Sequence, residues 1–246
     1  MPHIKELLDK LAKKYETSDF IKDDPVKFPH RYKRKEDIEI AGFLASLFAF
    51  GQRTVFIGKL EKLFSYMGKS PYEYILKRKF DLKGLNYRFF KTEDIESFLF
   101  VLHGLYLNDG GLSVLFDKAY KSGNLMQYIC DYFYTNAPDS AGAGFYFGIP
   151  NPKNGGAMKR MWMFLRWMVR KSPVDLGIWD FIPISELKIP LDTHVARISR
   201  ELGLIKRNTN DIKTVNELSA VLKEFSPDDP VKYDFALFGY GINNKY

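Results

Sequence analysis

The stretch from residue 38 to residue 50 constrains this chain more than any other. Apart from Glu39, every position from Ile38 to Phe50 is apolar or small. The run lacks the period-two alternation of a half-buried strand and is too long for an ordinary buried one. It reads as a helix apolar on nearly all sides, and such a helix must be buried on nearly all sides. Ala41, Gly42, Ala45, Ser46 and Ala49 let neighbouring elements approach closely. The chain must therefore wrap other elements around this one, and Gly51 is the expected helix stop.

The rest of the chain supplies helices for that wrapping. Ile4, Leu7, Leu8, Leu11 and Tyr15 recur at helical spacing over 2–15. Asp24-Pro25 and Phe28-Pro29 break a connector over 16–36 that ends in a basic run, His30 to Lys35. Thr54 is placed to cap a helix carrying Leu60, Leu63, Phe64 and Met67. Ser70-Pro71 pairs a cap with proline at the first helical position. Thr92-Glu93-Asp94 opens another helix with acids in its first turn. Asn108-Asp109-Gly110-Gly111 reads as a turn, and helices are expected over 113–122 and 124–134. Residues 135–156, rich in glycine and proline, read as a long loop, a form often tied to function. Helices over 157–170, 191–202 and 215–225, and one after Ser226-Pro227-Asp228-Asp229-Pro230, complete an all-α reading of roughly ten helices.

Composition excludes several classes. A single cysteine, Cys130, rules out an internal disulfide and a four-cysteine zinc or iron–sulfur site within this chain. The four histidines, at 3, 30, 103 and 194, lack metal-ligand spacing, so no metal site is expected. The charged N-terminal residues do not read as a signal peptide. No apolar run reaches the roughly 18 residues of a membrane span. A cytoplasmic protein without a membrane partner is the expectation. The formal charge of +7 favours a polyanionic partner such as nucleic acid, with plain solubility as the alternative.

Two positions carry potential chemistry. Lys159 follows Gly155-Gly156-Ala157-Met158 at the start of one expected helix. Asp192 follows Ile189-Pro190-Leu191 at the start of the next. An amine and a carboxylate held this way can attack an electrophilic carbon and stabilise the cation formed there. The surroundings are aromatic and basic, through Met161-Trp162-Met163-Phe164-Leu165-Arg166-Trp167-Met168-Val169-Arg170. The same residues also have plainly structural readings. Lys159 suits a surface lysine, Asp192 an N-cap, Trp162 and Trp167 a core, and Gln52 a helix-end hydrogen-bonding residue.

The segment Asp192-Thr193-His194-Val195-Ala196-Arg197-Ile198-Ser199-Arg200-Glu201-Leu202-Gly203-Leu204 resembles the catalytic-aspartate segment of the helix-hairpin-helix DNA glycosylases, the endonuclease III superfamily. A second block, from Ile40 to Arg53, is similar to that family's apolar helix and places Gln52 where a glutamine probes the space of the flipped-out nucleotide. Lys159 lies where the family's hairpin leads into the helix of its catalytic lysine. Two features depart from the usual pattern. The hairpin text Ile149-Pro150-Asn151-Pro152-Lys153-Asn154-Gly155-Gly156 is longer and irregular, and Lys159 and Asp192 are 33 positions apart. The longer insert and the lack of an iron–sulfur cluster are nearest to the archaeal 8-oxoguanine glycosylase type, and the chain looks like a bacterial branch beside it.

That resemblance implies a two-lobed fold, with residues 36–170 as one lobe and 1–35 plus 171–246 as the other. It implies a monomeric, nucleoid-associated DNA-repair enzyme that needs no cofactor and acts on duplex DNA with a damaged base. Lys159 would attack C1′ of a flipped nucleotide, and Asp192 would stabilise the cationic sugar and shuttle protons. Gln52, Trp162, Met163 and Trp167 would contact the base. Gly155, Gly156, Arg160, Arg166 and Arg197, with Arg170 and Lys171, would hold phosphates. A nucleic-acid-binding protein that kept the fold without the chemistry is the alternative. A helical protein-interaction scaffold is a third class, and it would show no salt-dependent DNA binding.

Overall fold

A computed structural model describes residues 2–243. The chain is all-α. Among the described residues, twelve α-helices and several short 3-10 turns form the regular structure, with isolated backbone bridges but no strand. They divide into two compact units, Asp24–Asn154 and Met1–Asp23 together with Gly155–Tyr246. The later division thus falls at 154/155 and not after 170. The reason is chemical: the cations of the helix starting at Lys159 find their carboxylates at Glu16, Asp175, Asp229 and Asp234. Among the described residues no single helix is long and apolar enough to cross a membrane.

The first helix, α1 (Pro2–Tyr15), belongs to the terminal unit. The Asp24–Asn154 unit is built on α2 (Lys35–Phe48), where every residue from Asp37 to Phe48 is buried. Its two buried acids are both satisfied. Asp37 accepts from Ser70 Oγ at 2.7 Å and from Tyr72 N at 2.8 Å, and Glu39 accepts from Tyr106 Oη at 2.8 Å. Full burial of each Phe or Leu on such a helix contributes about 1.5–3 kcal/mol relative to exposure. The helix ends at Phe48, three residues before the expected stop. Gly51 instead turns the chain at φ +80° into α3 (Arg53–Met67), and Gln52, not Thr54, occupies that helix's N-cap position.

Ser70 caps α4 (Pro71–Leu76) through its Oγ, which accepts from Glu73 N at 3.2 Å, as the Ser-Pro pair implied. Then come α5 (Thr92–Asn108), α6 (Leu112–Lys121) and α7 (Leu125–Thr135). The stretch over 135–156 is not a plain loop. It contains a short helix, α8 (Ala143–Gly148), and a 3-10 turn, Pro152–Asn154. The glycines that suggest a loop are there for space. A Cβ on Gly142 or Gly144 would strike the Asp94 carboxylate, and one on Gly148 would strike the Phe98 ring. Buried Asp94 holds this corner, accepting from Lys91 N, Gly142 N and Phe145 N at 2.9, 2.9 and 3.1 Å.

In the terminal unit, α9 (Lys159–Val169), α10 (Thr193–Glu201), α11 (Ile212–Phe225) and α12 (Tyr233–Asn243) follow. Helix α12 packs on both α1 and α10. Gly239 lies against the Tyr15 ring, with no room there for a side chain.

Two glycine substitutions should part company in urea denaturation. Gly144→Ala forces a Cβ against both the Phe89 carbonyl and Asp94, and should cost about 1–3 kcal/mol as an overpacking change. Gly58→Ala, inside α3 with open space around it, should stabilise by about 0.5–1 kcal/mol.

Candidate active site at the starts of two helices

Helix α9 begins at Lys159 because the chain before it cannot be helical. Gly155 has φ +74° and Met158 sits at the left-handed N-cap position, φ 52° and ψ 30°. The Gly155 carbonyl accepts from Ile212 N at 2.9 Å, and Gly156 forms a backbone bridge with Asp211. The turn into α9 is thereby tied to the start of α11. Helix α10 begins after Asp192, whose Oδ1 accepts from Val195 N at 2.8 Å as an N-cap.

These two helix starts bring Lys159 and Asp192 together. Lys159 Nζ stands 3.5 Å from Asp192 Oδ2, with the two side chains 32% and 13% exposed. The carboxylate therefore divides its oxygens: Oδ1 caps the helix and Oδ2 faces the amine. The cap fixes the carboxylate's direction, so the structural and chemical readings of Asp192 are compatible. Lys159 gains no such local reason for its place. A cation in a helix's first turn opposes the helix dipole, a cost of a few tenths of a kcal/mol at a part-exposed position.

Behind the pair lies a buried charge network. From Met161 to Arg170 every residue is buried, Arg166 and Arg170 included. Arg166 Nε donates to Asp175 Oδ1 at 3.1 Å, and its Nη1 pairs with Asp234. Arg170 donates to Asp175 Oδ2 at 3.0 Å, to Asp229 Oδ2 at 2.8 Å, and to Glu16. Burial pushes the Asp175 carboxyl up despite both arginines. It pushes Asp234 up to about 7; Arg166 and Lys159 oppose that rise, while Asp192 and Asp175 add to it.

Several candidate contacts are corrected by this packing. Arg166 and Arg170 are unavailable to phosphates, because their guanidinium groups are buried against carboxylates. Trp167 is 0% exposed and cannot stack on a base; Trp162 and Met163 are buried as well. The indole N–H groups of Trp162 and Trp167 are buried without a hydrogen-bond acceptor among the described residues. Arg197 spends its guanidinium on Glu201 Oε1 at 2.8 Å and on the Gly241 carbonyl at 2.9 Å. Arg160 is part-buried and burial lowers its guanidinium to about 10, which leaves it cationic at neutral pH. Lys171 is exposed, as is Gly156, and Gly155 is partly so. Gln52 belongs to the other unit, where it is exposed.

Asp175 and Asp234 escaped the sequence reading. The available clue was the run from Met161 to Arg170: arginines set among so many apolar residues, as Arg166 and Arg170 are, call for buried acids. Among the described residues, no group of three His, Cys, Asp or Glu side chains is placed to hold a metal ion.

The terminal unit thus presents a lysine–aspartate pair at the N-termini of two helices, on an all-helical frame. The chain belongs to the DUF2400 family, proteins of unknown function, whose sequence profile matches residues 24–243. No curated protein and no solved structure matches it.

Two measurements probe the site's physics. Asp192→Asn keeps an oxygen for Val195 N and should leave thermal stability within about 0.5 kcal/mol, whereas Asp192→Ala should cost about 1 kcal/mol as a lost N-cap. Folded Asp234 keeps its proton up to about pH 7, while an unfolded aspartate releases it near 3.8. The folded state then binds the extra proton between those values, so this group's contribution to stability declines as pH rises from about 4 through 7. Denaturation midpoints across that window should show the decline, and Asp234→Asn should flatten it.

Proposed function

We propose that this protein is a DNA base-excision glycosylase with AP-lyase activity, on a two-lobed helix-hairpin-helix glycosylase fold. Its substrate is duplex DNA carrying an oxidised purine such as 8-oxoguanine, and it acts at the nucleoid. The observation that carries this reading is the 3.5 Å approach of Lys159 Nζ to Asp192 Oδ2, with both side chains reachable from solvent. A purely structural lysine would gain little from this place, and the resembling segment around Asp192 supplies the reaction type.

The steps follow from the two groups. The amine of Lys159, after losing a proton, bonds to C1′ as the bond from C1′ to the base breaks. The bonding pair leaves with the base, which is then protonated. Asp192 Oδ2 faces the positive charge developing on the sugar and stabilises it. The sugar ring opens to a Schiff base between C1′ and Nζ. Loss of a proton at C2′ then expels the 3′ phosphate and cuts the strand. The separation of 3.5 Å is long for direct proton transfer, but such contacts commonly tighten once substrate is bound. Arg160 remains the cation nearest in sequence to this chemistry, and the backbone at Gly155 and Gly156 leads into the helix start where a phosphate would be held.

The second reading is a nucleic-acid-binding protein without catalysis. Burial of Trp162, Met163 and Trp167 favours it, because those side chains are withdrawn from any base.

Borohydride trapping separates the two readings. Wild-type protein incubated with a duplex containing an abasic site or 8-oxoguanine should form a covalent complex when the Schiff base is reduced to an amine. Lys159→Gln should abolish it, and Asp192→Asn should slow base release by at least about 100-fold, as loss of a stabilising group does elsewhere. Absence of a crosslink on the abasic duplex would sink the lyase mechanism, and salt-dependent binding without base release would establish the second reading.

A further inference from the structure

We infer that the Asp24–Asn154 unit carries a stacking platform for unpaired nucleobases, built from Phe50, Phe89 and Phe147 with Arg88 beside them. The rings form one cluster. The Phe89 and Phe147 centroids are 4.6 Å apart, Phe50 and Phe147 5.0 Å, and Phe50 and Phe89 6.2 Å at a shallow interplanar angle of 18°. Phe89 is 55% exposed and Phe147 37%. The Arg88 guanidinium lies 5.9 Å from the Phe50 centroid and 5.8 Å from that of Phe89.

The cluster is held in place by its backbone. Tyr87 and Phe90 exchange two backbone hydrogen bonds of 2.8 Å, leaving Arg88 and Phe89 at the tip of a tight turn. Arg88 takes φ 50° there, a conformation that costs a residue with a side chain about 1–2 kcal/mol. Tyr87 Oη donates to the Phe50 carbonyl, which ties the turn to the end of α2. Gly51 is pressed so closely that a Cβ would stand 2.7 Å from both Tyr87 Oη and Arg88 Nη1. On the other side, Asp94 clamps Lys91, the residue that follows the turn, to the start of α8, which bears Phe147. A buried carboxylate, glycines without room for a side chain and a strained arginine thus hold three aromatic rings where Phe89 and Phe147 are exposed and Phe50 is partly so.

The chemistry selects the occupant. The segments bearing the rings carry Arg53, Arg88 and Lys91, and the Asp94 carboxylate beside them is buried and taken up by three backbone N–H groups. An apolar protein surface would be served by the rings alone. Exposed aromatic faces with a guanidinium 5.8 and 5.9 Å from two of the ring centroids match bases joined by phosphates. Stacking of this kind is sequence-tolerant, because every base has a π face, and Arg adds a cation–π component. Exposed Gln52 lies next to Gly51 and offers an amide to a base edge. The platform shares a nucleic-acid partner with the proposed function but uses neither Lys159 nor Asp192.

Fluorescence anisotropy with labelled oligo-dT about 15 nucleotides long, and with oligo-U of the same length, tests this. The wild-type chain should bind, more tightly to whichever strand is its natural partner, and at least about 10-fold more weakly to a strand whose bases are replaced by abasic spacers. Phe89→Ala with Phe147→Ala should lose about 10-fold or more on the base-bearing strand. The slope of affinity against salt should stay the same, because no phosphate contact is removed. Phe89→Trp should keep binding, and because Trp162, Trp167 and Trp179 are buried, its indole should be quenched as the strand binds. Equal binding of the abasic strand, unchanged affinity in the double variant, or an unquenched indole would each overturn the platform. So would a dimer in sedimentation that the double variant dissociates, since the rings would then be a contact between copies. Borohydride trapping run alongside keeps the readings apart: trapping without oligo-dT binding removes the platform and leaves the lyase, and binding without trapping does the reverse.

Discussion

The terminal unit depends on the pairing of two buried guanidinium groups, one in the last turn of α9 and one at its C-cap. Arg166 and Arg170 stand one turn apart at the end of α9 and meet Asp175, Asp229, Asp234 and Glu16. These partners come from the end of α1, the segment after α9, the turn before α12 and α12 itself. Removing one partner from such a network costs about 3–5 kcal/mol, because a buried charge is stranded. That magnitude exceeds a helix cap or a single surface ion pair. It is also why segments at opposite ends of the chain fold as one unit. Burial holds the Asp175 and Asp234 carboxyls up, and neighbouring carboxylates add to it against the pull of the arginines.

The lysine–aspartate pair sits on this frame. Lys159 is seven residues before Arg166, two turns along α9, so anchoring the arginine sets the helix's rotation and with it the lysine's direction. Asp192 is aimed by a local contact, its N-cap bond to Val195. One member of the pair is thus positioned by tertiary charge pairing and the other by helix-end chemistry. Asp234 connects the frame to the site electrostatically, since Lys159 and Asp192 both act on its carboxyl.

Local chemistry made much of the fold legible. The apolar run from Ile38 to Phe50 announced a buried central helix, and α2 is that helix. Ser70-Pro71 marked the start of α4, Thr92-Glu93-Asp94 the start of α5, and Asp192 the cap of α10. These features depend on neighbours within about four residues, so they can be read along the chain. The approach of Lys159 to Asp192 was expected from a resemblance and not from spacing, since 33 residues separate them. The fate of Arg166 was not legible. Basic residues on a helix suggest a wet face until every residue from Met161 to Arg170 is seen to be buried. Phe89 and Phe147 escaped for the opposite reason: aromatics default to the core, and only the packing around Asp94 leaves these two outside.

By itself, then, the sequence determined the helical class, the buried central helix, most helix starts, and the exclusion of an internal disulfide or four-cysteine cluster. Only the tertiary structure decided that α9 joins the terminal segments, that its arginines are internal struts, and that Gly142, Gly144 and Gly148 make room for a short helix. The physical reason is the reach of the forces involved. Caps, turns and hydrophobic periodicity act over a few residues, whereas a buried charge is satisfied by whichever distant carboxylate the completed fold brings to it.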